Sequence, residues 1–117
     1  MMERMGVAFW GGVSVEELVG CVRLAEEQGF HSAWLVESYA DVFSVLSACA
    51  AVTERIHLAS GVTTVFTRNP TTIAIASATV DTVSRGRFIL GLGAGHREIH
   101  AQRDNPDRLN RVPFRSA

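Results

Sequence analysis

The sequence predicts a parallel α/β fold of about four βα units. Short apolar runs and longer amphipathic runs alternate along the chain in the order β-α-β-α-β-α-β. The strands start near residues 5, 31, 56 and 87, so each repeat has about the length of one βα unit. Each helical run is also preceded by a residue that caps helices. Such alternation implies parallel strands joined by right-handed crossovers. Two architectures satisfy it, an open doubly wound sheet and part of a (β/α)8 barrel. A whole barrel takes ~250 residues, so a chain of 117 residues holds about half of one.

The first strand is "MGVAFW", residues 5–10. After the "GG" pair, Ser14 and Glu17 match a capping box. Val15, Leu18, Val19, Val22 and Ala25 then share one helix face, and Gly29 can take the left-handed conformation that ends the helix. "HSAWLVE", residues 31–37, is the second strand. Asp41 caps a second helix with the stripe Val42, Val45, Leu46, Cys49 and Val52, closed by "TER". "IHLASGV", residues 56–62, is the third strand, and "TTVFTR" reads as a polar loop. Asn69 and Pro70 open a third helix whose inner face is Ile73, Ser77, Val80 and Val83. "RFILGL" is the fourth strand. Residues 101–117 show neither period and read as an irregular or disordered tail after a unit spanning residues 1–100.

Composition excludes several classes of function. Net charge is −1, which favours neither nucleic acid nor a membrane surface as partner. No apolar run reaches the ~18–20 residues of a membrane span, and the acidic N-terminus does not resemble a secretory leader. Cys21 and Cys49 lie in apolar helical patterns and are expected to be reduced, in a cytoplasmic protein. All 11 basic residues are arginine. Without lysine, this chain alone has neither a Schiff-base amine nor a Walker A loop.

The densest motif is "GRFILGLGAGHREIH". A dinucleotide fingerprint needs G-x-G-x-x-G after the first strand of its unit. Here the glycines are Gly91, Gly93 and Gly95, His96 stands at the third required position, and the strand is the fourth. The pair His96 and His100 lacks the glutamate that follows the first histidine in H-E-x-x-H, so no metal is expected. In parallel folds ligands meet the C-terminal ends of the strands. Those ends carry Phe9 and Trp10, then Glu37, Ser38 and Tyr39, then Ser60 to Thr63, then Gly93, Gly95 and His96. Glu37 is the ionisable acid of the set, open to a catalytic role or to pairing with an arginine. Arg68 reads as a solvated loop residue.

"EEQGFHSAWLVES" and "AAVTERIHLASGVTTVFTRNPTTIAIASATVDTVSRGRFILGLGAG" together resemble the N-terminal half of the luciferase-like monooxygenase superfamily. The nearer likeness is to its branch of coenzyme F-420-dependent oxidoreductases, over residues 5–98. The resemblance implies a partial (β/α)8 barrel, coenzyme F-420 or FMN at the C-terminal rim, and hydride transfer on a small-molecule substrate. It implies Glu37 as the catalytic acid/base. It also implies cofactor contacts from Ser60, Gly61, Val62, Thr63, Gly93, Gly95 and His96, with a cis peptide at Gly61–Val62. Ser38 stands where many members have a histidine. The expected continuation after the fourth strand is missing, which predicts a truncated, inactive fragment whose open edges invite self-association.

Overall fold

The computed structural model describes residues 4–10, 12–37 and 40–94. Gly95, His96, the second histidine of "HREIH" and the predicted tail lie outside the described residues, as do Ser38 and Tyr39. Six strands form: β1 Gly6–Phe9, β2 Ser32–Leu35, β3 His57–Ser60, β4 Thr63–Thr64, β5 Phe88–Ile89 and β6 Leu92–Gly93. Three helices join them: α1 Val15–Glu27, α2 Val42–Val52 and α3 Pro70–Val83.

The main sheet is all parallel, in the order β1-β2-β3-β5. A doubly wound sheet reverses its strand order at a switch point, which puts helices on both faces. No reversal occurs here, and α2 packs against both α1 and α3 along one side of the sheet. That winding is the one a (β/α)8 barrel uses.

Strand alternation explains the packing. Val7, Ala33, Leu58 and Phe88 stand in register, as do Phe9 and Leu35, and all face the helices. Against them pack Val22 and Ala25 of α1, Val42, Val45, Leu46 and Cys49 of α2, and Ile73 and Val80 of α3. The opposite face carries Gly6, Ala8, Ser32, Trp34 and Ala59. Ala8 and Ala59 flank Trp34 in register, and these small neighbours leave room for the indole.

The helix ends follow their residues. Ser14 Oγ accepts the Glu17 N–H at 3.1 Å, and Asn69 Oδ1 accepts that of Thr72 at 2.8 Å. Gly29, with φ of 87°, ends α1. Asp41 is the N-cap residue of α2, as expected, but its carboxylate accepts chiefly from the Ser44 hydroxyl and from Arg68. Two expectations need correction. Val52 and Val83 are exposed, because each stands in the last turn, beyond the reach of the sheet. The fourth strand is broken between Ile89 and Leu92, and Thr63–Thr64, read as loop, is a strand that pairs with Leu92–Gly93.

Two charged residues fasten the end of the sheet where the strands begin. The Glu26 carboxylate accepts the N–H groups of Glu54, Arg55 and Ile56. Burial pushes its pKa up, but these three bonds and the nearby Arg55 guanidinium outweigh that and hold it below the usual value. Arg87 donates to the carbonyls of Ala50, Thr53, Ile56 and Ser84 and to the Thr53 hydroxyl. It thereby satisfies carbonyls at the end of α2 that have no partner inside the helix.

Candidate functional site

The site lies at the opposite end, where β3 gives way to β4. The Gly61–Val62 peptide bond is cis, at the place the resemblance implies. Around it the chain is close-packed. Ser60 is fully buried; its hydroxyl donates to the Gly91 carbonyl at 2.9 Å and accepts the Gly91 N–H at 3.0 Å. A Cβ on Gly91 would lie 2.1 Å from the Ser60 carbonyl oxygen, and one on Gly93 would lie 2.6 Å from Val62 Cγ2. The glycines of "GLG" therefore serve the chain's own close approach: only a residue without a side chain admits Val62 and Ser60 there.

Val62 itself is 39% exposed although its side chain lies against Gly91 and Gly93, whereas Ser60 and Thr63 are fully buried. Ser60 and Thr63 can back a ligand but not touch it; Val62 and the half-buried Gly61 can touch one. Thr63 Oγ1 has no hydrogen-bond partner among the described residues. Beneath Gly61 lies Trp34, with Cε3 3.4 Å from the Cβ position of Gly61 and its Nε1 donating to Ser32 Oγ at 3.0 Å.

Glu37 stands beside this wall. One carboxylate oxygen accepts the Thr64 N–H at 3.2 Å, and the other accepts from Arg68. Arg68 also donates to Asp41, and its guanidinium lies 4.8 Å from the centre of the Phe43 ring. Arg68 is thus no solvated loop residue. Partial burial works against its charge, but the two carboxylates outweigh that and raise its pKa. Partial burial likewise pushes Asp41 up, and the Ser44 hydroxyl and Arg68 hold it below the usual carboxylate range.

The structure therefore brings together Glu37, Ser60, Gly61, Val62, Thr63 and Gly93. Sequence reasoning missed Trp34 and Arg68. Period-2 alternation, which puts Trp34 on the face opposite Ala33 and Leu35, was the available signal for the first. For the second, the sequence offered an arginine partner for Glu37 but favoured a solvated Arg68, since no local pattern links the two residues. A separate, mainly apolar cavity of about 340 Å³ lies on the helix side of the sheet, between Phe9, Leu35, Val36, Val42, Val45 and Leu18.

These features can be set beside known proteins. The model of the family described as luciferase-like monooxygenase matches residues 4–113. The chain belongs to that family. It is 37% identical over 94 residues to 5,10-methylenetetrahydromethanopterin reductase of Methanolobus tindarius, covering 79% of this chain and 29% of that protein. Among solved structures it superposes with a TM-score of 0.81 on the coenzyme F-420-dependent tetrahydromethanopterin reductase of Methanopyrus kandleri. That match has 30% identity and covers 88% of this chain and 30% of the other. The FMN complex of the oxygenating constituent of 3,6-diketocamphane monooxygenase from Pseudomonas putida shares the fold, at 20% identity and a TM-score of 0.72, over 80% of this chain and 30% of the other. The chain thus spans somewhat under a third of each of these proteins.

Proposed function

We propose that this chain carries the ring-binding wall of an oxidoreductase using coenzyme F-420 or FMN for hydride transfer on a small-molecule substrate. The observation that carries the reading is Val62: a partly exposed apolar residue on a close-packed turn, with the buried Ser60 and Thr63 on either side. A flat, uncharged ring fits such a shelf. Arg68 is not assigned to the cofactor's phosphate, because it is committed to Glu37 and Asp41. The likeness to reductases of the F-420 branch favours F-420 over FMN. When bound, either group supplies hydride chemistry; the chain's own residues hold and shield one side of the ring.

In this reading Ser60 and Thr63 back the wall, Gly61 and Val62 meet the ring, and Gly93 makes room for Val62. Gly95 and His96 stay assigned to the rim by the sequence resemblance. Each Glu37 oxygen keeps a second lone pair beside its bond to Thr64 or Arg68, through which it would exchange a proton with the substrate. The four strands of the main sheet enclose no lumen, so the 117-residue chain alone is expected to turn over little or no reduced coenzyme. Both cysteines are free thiols among the described residues, which suits the cytoplasm, and no described helix is long and apolar enough to cross a membrane.

Fluorescence titration of the chain with coenzyme F-420 and with FMN tests the reading. Saturable binding of F-420 that weakens in Val62→Asp is expected. Absence of saturable binding of both would overturn it.

A further inference from the structure

We propose that Arg68 is a positioning residue for the ring wall and acts on it through Glu37. The inference rests on the reading of Val62 and its neighbours as that wall. It starts from the hydrogen-bond ladder of β4. Thr63 N–H donates to the Gly91 carbonyl at 2.7 Å and Val65 N–H to the Gly93 carbonyl at 3.0 Å. Alternation turns the intervening Thr64 N–H to the other side, away from β6. Its acceptor there is the Glu37 carboxylate. A buried backbone N–H needs a partner, and Thr64 is a buried residue. Glu37 therefore completes, on the open side of β4, the pairing that a neighbouring strand would otherwise provide.

Arg68 holds Glu37 in that place. Its guanidinium lies over Phe43, which is itself buried and packs against Phe88 at 6.1 Å. From this seat one nitrogen donates to both Glu37 and Asp41. The Glu37 and Arg68 side chains are only 7% and 19% exposed. Removing the guanidinium would take the shared Arg68 donor from two neighbouring carboxylates and loosen the hold on Glu37. The Thr64 N–H would then lose its acceptor, two residues from Val62. The chain of contacts Asp41–Arg68–Glu37–Thr64 thus ties the loop after β2 to the wall of the site.

The test uses the full chain and two readouts, amide hydrogen exchange at Thr64 and fluorescence titration with coenzyme F-420. Arg68→Gln is expected to speed Thr64 exchange selectively, leaving Thr63 and Val65 less affected. It is also expected to weaken coenzyme binding about tenfold, a change of ~1.4 kcal/mol. Arg68→Lys, which keeps the charge, should recover part of both effects and serves as the test variant if Arg68→Gln does not fold. In a Glu37→Gln background, Arg68→Gln should add little to either readout. Unchanged Thr64 exchange in the Arg68 variants would overturn the proposal. So would weakened coenzyme binding without a change in exchange, which would mean that Arg68 meets the ligand directly. If the unaltered chain binds no coenzyme, the reading of the wall fails, and Thr64 exchange still decides whether Arg68 acts through Glu37.

Discussion

Gly91 shows most directly how a single residue sets the geometry of the site. Its missing side chain is what lets β6 approach Ser60, whose hydroxyl bonds both polar groups of the Gly91 backbone. In Gly91→Ala the added carbon would meet a carbonyl oxygen at 2.1 Å, far inside contact distance. In Gly93→Ala it would meet the Val62 side chain, Cγ2 at 2.6 Å and Cβ at 3.3 Å, which can yield by a small shift more easily than backbone can. Overpacking commonly costs ~1–3 kcal/mol, and backbone obstacles lie at the upper end because they cannot rotate. Gly91→Ala should therefore lower the denaturation midpoint more than Gly93→Ala, as urea unfolding followed by circular dichroism would show. Equal losses would mean that the strand shifts as a body. The sequence made these glycines conspicuous but not their purpose. It suggested room for a flat ligand; on the side where a Cβ would stand, Gly91 and Gly93 meet Ser60 and Val62.

Among the elements, the ends of the strands divide into two kinds of work. At the end where the strands begin, Glu26 of α1 and Arg87 before β5 grip the same turn between α2 and β3, one by its N–H groups and the other by its carbonyls. Arg87→Ala would strand the carbonyls of Ala50, Thr53 and Ile56, and hydrogen bonds to a charged group are worth ~1.5–3 kcal/mol. A loss of about that size is expected in urea unfolding, with the coenzyme site unaffected at temperatures where the chain stays folded. Glu26 adds a pH dependence. Its folded pKa is depressed, so the stability it confers is full above its unfolded pKa and is lost as pH falls through the folded value. Stability measured across the acid range should therefore decline less steeply in Glu26→Gln than in the unaltered chain. An identical slope would show that Glu26 does not titrate with folding. Neither grip was visible in the sequence, where Glu26 only sat off the apolar stripe. Helix periodicity reports which residues avoid the core, not which distant backbone they reach. What was visible was the order of elements, since the caps Ser14 and Asn69 and the apolar stripes are local signals.

For the whole molecule, the question is how the open sheet is covered. Strand order supports the barrel winding, and, as the resemblance implied open edges, β1 and β5 each pair on one side only among the described residues. Unpaired parallel edges offer N–H and C=O groups to any strand that approaches. Trp10 and Phe66, 76% and 74% exposed, add apolar surface near the ends of the strands. We infer that the isolated chain self-associates through these edges. Ala8 gives a probe, because it is exposed in the edge strand β1 on the face away from the helices, where its in-register neighbour is Trp34, over which a lysine stem can lie. Light scattering on the unaltered chain should give a mass above that of one 12.7 kDa chain, falling with dilution. Ala8→Lys should shift that distribution toward the single chain while leaving its circular dichroism unchanged. A chain that stays monomeric at all concentrations would show that the edges are shielded by its own residues. An Ala8→Lys variant that associates as before would move the contact to β5 and β6. In either case coenzyme titration at the same concentrations tells whether association contributes to the ring site, because binding that strengthens with chain concentration is linked to association.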